Sequence, residues 1–279
     1  MAQLIDGKQI SKQIKDELKI EVQKLKEQGT GICLAVVQVG EDPASTVYVN
    51  NKKKACAYIG IESRAYELPE TTSEEELVSL VEELNQDDSV NGILVQLPLP
   101  EHINEDRIIR TISPDKDVDG FHPVSVGRLW IGEKGVLSCT PAGIIQLLKR
   151  SGISIEGKEC VIIGRSNIVG KPMAALLLRE NGTVTIAHSR TRNLAEITRR
   201  ADILIVAIGK ERFITSEYVK DGAVVIDVGM HRDSENHLCG DVDFKDVEPR
   251  VSAITPVPGG VGPMTIAMLM NNCVETARR

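Results

Sequence analysis

Three consecutive lysines, Lys52, Lys53 and Lys54, lie in a segment of helical length, and helix geometry gives them different surroundings. Tyr48, Lys52, Ala55, Cys56 and Ile59 recur at the four- and three-residue spacing of one face. Lys53 and Lys54 are turned about 100° and about 200° away from it. A lysine run is ordinarily a solvated face, yet Lys52 alone falls on this semi-apolar stripe. An inward lysine is costly unless it is paired or does chemistry, although its stem can also lie along the face while the amine reaches water. A directed amine can act as a general base or, once protonated, as a general acid. Lysine ordinarily titrates near 10.4, so work as a base near neutrality requires a drop of roughly three units, which an apolar face and a cationic substrate both favour.

Two other segments offer polar groups that could converge on such an amine. Gln96 closes the apolar run Gly92-Ile93-Leu94-Val95-Gln96, just before Leu97 and Pro98. Ligands of open parallel sheets bind beyond the C-terminal ends of strands, and a glutamine both donates and accepts there. The same residue can be an ordinary loop cap. Asp119 precedes Gly120 in the polar stretch Ser113-Pro114-Asp115-Lys116-Asp117-Val118-Asp119-Gly120. Its carboxylate is acceptor-only, and an Asp-Gly pair is also a common turn.

A third constellation suits a phosphate. Ile163-Gly164-Arg165-Ser166-Asn167-Ile168-Val169-Gly170 joins a strand-like run to a helix-like one. Glycines allow a tight turn close to a pyrophosphate, and the helix start adds unpaired N–H groups and a positive dipole end. The motif departs from G-x-G-x-x-G because Ser166 stands where the second glycine would be, and a glycine turn between strand and helix is often only structural. The next strand ends at Ala187-His188-Ser189-Arg190. A dinucleotide site for NAD usually carries an acid there. Here a hydroxyl, Ser189, and a guanidinium, Arg190, stand instead, with Arg165 in the turn, which suits the 2′-phosphate of NADP.

The elements that must hold these groups alternate along the chain. Helical periodicity marks 7–28, with Ile10, Ile14, Leu18 and Val22 near one face, and 43–60, from Pro43 to Gly60. Short apolar runs at 32–39 and 92–97 read as strands, as does the segment 62–68 between them, and Ser73 with Glu76 forms a capping box before a third helix. The second half repeats the alternation, with strands at 159–163, 183–187, 202–208 and 223–228 and helices at 170–180 and 194–200. A segment around Trp130 to Val136 reads as irregular, a helix follows Pro141, and a last helix runs from about Met264 to Ala277. Such alternation predicts an α/β protein of mainly parallel sheets with helical crossovers. A chain of 279 residues suits about two domains or one large one.

Bulk properties narrow the partners. A formal net charge of −7 with only 3% aromatic residues leaves no basic, stacking surface for nucleic acid. The six cysteines include no C-x-x-C pair, so neither a zinc nor a disulfide framework is readable. The N-terminus runs into a charged amphipathic helix and does not read as a signal peptide, and the longest apolar run, Ile203 to Ile208, is too short to span a bilayer. These features predict a soluble cytoplasmic protein.

Taken together and in order, six segments resemble the bifunctional methylenetetrahydrofolate dehydrogenase/methenyltetrahydrofolate cyclohydrolase family. They are Tyr48-Val49-x-x-Lys52; Gly92 to Pro100; Asp115 to Gly120; Cys139-Thr140-Pro141; Gly164-Arg165-Ser166-x-x-Val169-Gly170-x-Pro172; and Thr255 to Thr265, through Pro258-Gly259-Gly260-Val261-Gly262-Pro263. The resemblance implies two α/β lobes with a cleft between them, a folate-binding catalytic lobe from 1–140 plus 264–279 and a Rossmann-like NADP-binding lobe from 141–263. It implies Lys52 as the catalytic lysine with Gln96 and Tyr48 beside it. The implied folate contacts are Tyr48, Lys52, Gln96, Leu97, Asp119, Pro258, Gly259, Gly260, Gly262 and Pro263. Gly164, Arg165, Ser166, Ser189 and Met230 match cofactor contacts. It also implies tetrahydrofolate derivatives as partners, no metal, and a homodimer.

The residue types fit that chemistry. Oxidation of the methylene carbon needs mainly alignment, because the cofactor carries the hard step. The methenyl product is a delocalised cation, and its hydrolysis to 10-formyltetrahydrofolate needs a base for water and a proton donor for the leaving nitrogen. A dehydrogenase of the same fold without hydrolysis, or a non-catalytic nucleotide-binding regulator, are the rival readings; the latter has no need of an inward lysine.

Overall fold

The computed structural model describes residues 2–278, and the chain groups into two compact units, 12–139 with 266–279, and 1–11 with 140–265. The unit boundaries fall inside the first and last long helices. Residues 3–4 form a short strand, β1 (Gln3–Leu4), ahead of helix α1 (Gly7–Glu27).

In the first unit, β2 (Cys33–Val39), α2 (Pro43–Ile59), β3 (Glu62–Leu68), α3 (Glu74–Gln86) and β4 (Gly92–Val95) wind a three-stranded parallel sheet in the order β3-β2-β4. β2 is central and buried on every residue, as a parallel strand covered on both faces must be. Cys33, Ala35, Val37, Ile93 and Val95 pack against Leu77, Val81 and Leu84 of α3. α2 is bounded as its sequence predicts: Asp42 accepts from the Ser45 N–H at 2.7 Å, Pro43 opens the helix, and Gly60 closes it in the left-handed region at φ 91°. The capping box of Ser73 and Glu76 is formed.

Two short helices, α4 (Glu105–Thr111) and α5 (Pro123–Ile131), follow. α5 follows the polar stretch and takes in Trp130 and Ile131, the start of the segment expected to be irregular. It starts on Pro123 with His122 Nδ1 accepting from the Val124 N–H at 3.1 Å, and ends on Gly132. At nine residues, with Trp130 and Ile131 exposed, it carries too little periodic burial to stand out in sequence.

The second unit contains α6 (Cys139–Arg150), β5 (Glu159–Ile163), α7 (Gly170–Arg179), β6 (Thr183–Ala187), α8 (Leu194–Thr198), β7 (Ile203–Val206) and β8 (Val224–Asp227). A small antiparallel pair, β9 (His231–Arg232) and β10 (Leu238–Cys239), precedes α9 (Phe244–Val247), β11 (Ala253–Ile254) and α10 (Val261–Thr276). Its six-stranded sheet is parallel throughout in the order β1-β11-β8-β7-β5-β6. The chain goes from β5 outward to β6, then returns to the other side of β5 for β7. Strand order therefore reverses between β5 and β7, which is where open α/β sheets place ligands. No helix among the described residues is long and apolar enough to cross a membrane.

Candidate active site

Lys52 sits on the inner face of α2, 8% exposed. Its Nζ donates to Gln96 Oε1 at 2.9 Å. The Gln96 amide is oriented by its own Nε2, which donates to the Leu97 carbonyl at 2.6 Å, so the oxygen faces the lysine. Gln96 follows β4, whose partner β2 anchors it through the Gln96 N–H to Val37 O at 2.8 Å. Tyr48, one turn earlier on α2, is half-buried, and desolvation raises its phenol above the usual value. Lys54 is exposed, whereas Lys53 is half-buried and pairs with Glu67 at 2.7 Å.

The polar loop divides its carboxylates between two tasks. Asp117, 2% exposed, accepts from the N–H groups of Gly120 at 3.0 Å, Phe121 at 3.3 Å and His122 at 3.0 Å, and from Ser125 Oγ at 2.7 Å. It is the residue that builds the turn. Gly120 lies at φ 72°, and a Cβ there would fall 2.7 Å from the Ser138 nitrogen. Asp119 is free of turn duty: no donor among the described residues bonds its carboxylate. Burial pushes that carboxyl up to about 6, against the pull of the nearby Lys52 charge and with a further push from Asp117. Asp119 also lines a small, mostly apolar hollow with Val95, Leu97, Ile108 and Phe121. Sequence reading passed over Asp117, although its place in the alternating Asp115-x-Asp117-x-Asp119 set was the available signal. It also passed over Asn272 of α10, whose Nδ2 donates to the carbonyls of Val118 and Leu137, both at 2.9 Å, and so holds the loop on either side of Asp119.

Cysteine chemistry is closed to this unit. Burial raises the Cys33 thiol, pushes Cys56 up to about 12 and raises Cys139 and Cys273 well above the ordinary range, so none of the four is a thiolate nucleophile near neutrality.

In the other unit the glycines of the phosphate-like turn are needed by the fold itself. Gly164 has φ 132°, and a Cβ would lie 2.2 Å from the Ala207 carbonyl oxygen; at Gly170 it would lie 2.3 Å from the Gly164 carbonyl oxygen. Ser166, in place of the second glycine, accepts from the N–H groups of Val169 and Gly170 through Oγ at 3.1 and 3.3 Å. That leaves the backbone N–H groups of the exposed residues Arg165, Ser166, Asn167 and Ile168 without partners among the described residues, ahead of the α7 N-terminus. Four open donors before a helix dipole fit a pyrophosphate. After β6, His188 N–H donates to Thr191 Oγ1 at 2.8 Å and Arg190 N–H to His188 Nδ1 at 3.1 Å, a turn that leaves Ser189 and Arg190 exposed. Neither Arg165 nor Arg190 forms an ion pair among the described residues, so both guanidinium groups remain available to an anion. Met230 follows β8 and is 45% exposed.

The glycine–proline loop belongs to the same unit. Pro258 is exposed and Gly259 and Gly260 are buried. α10 starts at Val261, earlier than the pattern predicts, so Gly262 and Pro263 form its first turn, where a proline lacks no needed N–H. Gly7 at the start of α1 lets this loop approach: a Cβ there would fall 1.8 Å from the Gly260 carbonyl oxygen. Lys8 N–H donates to Gly259 O and Ser11 Oγ to Pro263 O, both at 3.0 Å.

Comparison with known proteins gives one consistent result. Residues 5–119 match the family model described as tetrahydrofolate dehydrogenase/cyclohydrolase, catalytic domain, and residues 138–279 match its NAD(P)-binding domain. A protein of Lachnoclostridium phytofermentans named bifunctional protein FolD is 75% identical over 279 residues, covering 100% of this chain and 99% of its own. The crystal structure of the bifunctional FolD methylenetetrahydrofolate dehydrogenase/cyclohydrolase from Campylobacter jejuni superposes with a TM-score of 0.98 at 52% identity, covering 100% of this chain and 99% of that one. The Trypanosoma brucei dehydrogenase-cyclohydrolase, solved with NADP cofactor and an inhibitor, has a TM-score of 0.95 at 39% identity, covering 100% and 98%.

Proposed function

The chain belongs to the tetrahydrofolate dehydrogenase/cyclohydrolase family, and from that membership we propose how its side chains divide two reactions. The enzyme oxidises 5,10-methylenetetrahydrofolate with NADP to the 5,10-methenyl compound and hydrolyses this to 10-formyltetrahydrofolate, in one-carbon metabolism. NADP, when bound, supplies the hydride acceptor.

The open N–H groups of 165–168 bind the pyrophosphate, and Arg165 and Ser189, with Arg190 beside them, hold the 2′-phosphate. Gly164 and Ser166 shape that turn, and Met230 is taken as a cofactor-side backbone contact. Asp119 accepts from the N–H edge of the pterin. Tyr48, Leu97, Pro258, Gly259, Gly260, Gly262 and Pro263 are taken as further folate contacts. In hydrolysis, Lys52 removes a proton as water adds to the methenyl carbon. The protonated amine then returns a proton to the ring nitrogen as its bond to that carbon breaks, and the added hydroxyl gives its remaining proton to solvent, which leaves the formyl group and one released proton overall. Gln96 holds the Lys52 Nζ in place through both transfers. The observation that carries this reading is the buried Lys52 amine bonded at 2.9 Å to an amide oxygen that cannot neutralise it.

The test supplies methylenetetrahydrofolate and NADP⁺ and follows NADPH and methenyl absorbance separately. NADPH should form without lasting methenyl absorbance. Methenyl product that persists in step with NADPH would leave a dehydrogenase alone, and absence of NADPH would overturn both activities. Cofactor choice has its own test. A hydrogen bond to a charged group contributes about 1.5–3 kcal/mol, so Arg165→Ala should weaken NADP by roughly tenfold or more and change NAD use far less. Equal losses with the two cofactors refute the 2′-phosphate assignment. Assembly as a homodimer in the cytoplasm completes the reading, and a sedimentation mass of one chain at working concentration would remove the dimer from it.

A further inference from the structure

Two buried carboxylates in the cofactor unit hold loops that none of the assigned residues holds. Asp241 is 0% exposed, and both of its oxygens are occupied. Oδ2 accepts from the backbone N–H groups of Ile208 at 2.8 Å and Gly209 at 3.1 Å. Oδ1 accepts from Lys210 N–H at 2.8 Å and from His231 Nε2 at 2.7 Å. Asp227, the last residue of β8 and 4% exposed, accepts in turn from the N–H groups of Gly229 and Asp241 at 2.9 Å and Val242 at 3.0 Å. The packing admits no side chains between them. A Cβ at Gly240 would fall 1.9 Å from Asp227 Oδ2, and one at Gly229 would fall 2.5 Å from Asp241 Oδ1.

The groups that Asp241 gathers belong to two loops. Ile208–Lys210 follows β7, and His231 closes the loop that follows β8. β7 and β8 are neighbouring parallel strands, and β7 flanks the point where strand order reverses. The loops beyond such strand ends are the ones that receive a dinucleotide. Four donors on one carboxylate also explain the residue type. A carboxylate is acceptor-only on both oxygens, whereas an amide would turn an NH₂ group toward N–H donors.

We propose that Asp241, acting with His231, is a positioning residue for the cofactor, fixing the loops after β7 and β8 in the arrangement that accepts the dinucleotide. The proposal rests on the reading of this unit as the NADP site. It separates from a general role in stability because hydrolysis of methenyltetrahydrofolate uses no cofactor.

The experiment compares Asp241→Asn, His231→Ala and His231→Gln with the parent enzyme. It measures NADPH binding by fluorescence, the KM for NADP⁺, hydrolysis of supplied methenyltetrahydrofolate without cofactor, and thermal unfolding. Asp241→Asn should raise the KM for NADP⁺ and weaken NADPH binding by about tenfold or more, the scale of losing hydrogen bonds to a charged group. Hydrolysis should stay within about twofold of the parent. His231→Ala should move cofactor affinity the same way by less, and His231→Gln, whose amide can still donate, should recover part of the loss. His231 is partly exposed, so its variants decide the matter even where Asp241→Asn does not fold. Unchanged cofactor affinity in the folded variants, or equal loss of both activities, overturns the positioning role. A parent enzyme that does not bind NADPH overturns the NADP reading instead.

Discussion

Lys52→Met is expected to lower the cyclohydrolase rate by roughly 10²–10⁴-fold, the contribution of a general acid–base, while the dehydrogenase falls much less. Methionine keeps most of the stem's volume on a face that is already buried, so packing loss is small. It removes the donor to Gln96 Oε1, which then turns to water or to a neighbour. Oxidation depends on alignment of folate and cofactor, and neither needs a proton from Lys52. Methenyltetrahydrofolate should therefore accumulate during turnover, visible as absorbance that the parent enzyme does not retain. Lys53→Met and Lys54→Met serve as controls. Lys54 is exposed, and the Lys53–Glu67 pair lies near the surface, where such pairs contribute about 0–1 kcal/mol, so both rates should stay near normal. Equal loss of both activities in a folded Lys52→Met that still binds folate would mean the amine places the substrate for both steps. Hydrolysis that survives without Lys52 would end the proposed mechanism.

The parts of this fold that were legible in sequence are those in which local chemistry and tertiary demand agree. Asp42, Pro43 and Gly60 bracket α2 with a cap, a starting proline and a left-handed stop, so its face assignments could be read residue by residue. That is why the sequence alone distinguishes Lys52 from Lys53 and Lys54. The bond from Lys52 to Gln96 spans 44 residues and depends on β4 lying beside β2, which spacing alone does not show. Elements with no pattern of their own stayed hidden. β1 and β11 are two residues each and exist through long-range pairing, β1 with β11 at Gln3↔Ala253 and Leu4↔Ile254 and β11 also with β8. The sequence pattern starts α10 too late because Gly262 and Pro263 read as loop residues, though a first helical turn tolerates both. Asp117 and Asp119 look alike in sequence, and only the donors gathered around one of them tell the turn-builder from the open carboxylate.

Asp119→Asn should move stability and function in opposite directions. The Asp119 carboxyl sits at about 6 in the folded chain against an ordinary 3.8, chiefly because burial disfavours its charge. The folded state thus holds this proton more tightly than the unfolded one. Ionised Asp119 consequently destabilises the fold above about pH 6, and that penalty fades as pH falls toward 4. Lys52, which offsets it, and Asp117, which adds to it, are both already included in that balance. Asparagine cannot ionise, so the variant should melt higher than the parent at pH 7–8, with the gap closing near pH 4. Asp227 is also pushed up to about 6 by burial, but it is common to both proteins and cancels in the comparison. For function, an amide presents one acceptor and one donor where the carboxylate presents two acceptors, and it carries no charge. Losing a charged acceptor for the pterin N–H edge should weaken folate binding roughly tenfold to a hundredfold and depress both activities together, since both use the same bound folate. Calorimetric folate binding and melting curves from pH 4 to 8 on one preparation check both halves. A variant with near-normal folate affinity would remove Asp119 from the pterin contacts, and a melting gap independent of pH would show that its carboxyl is not the buried charge described here.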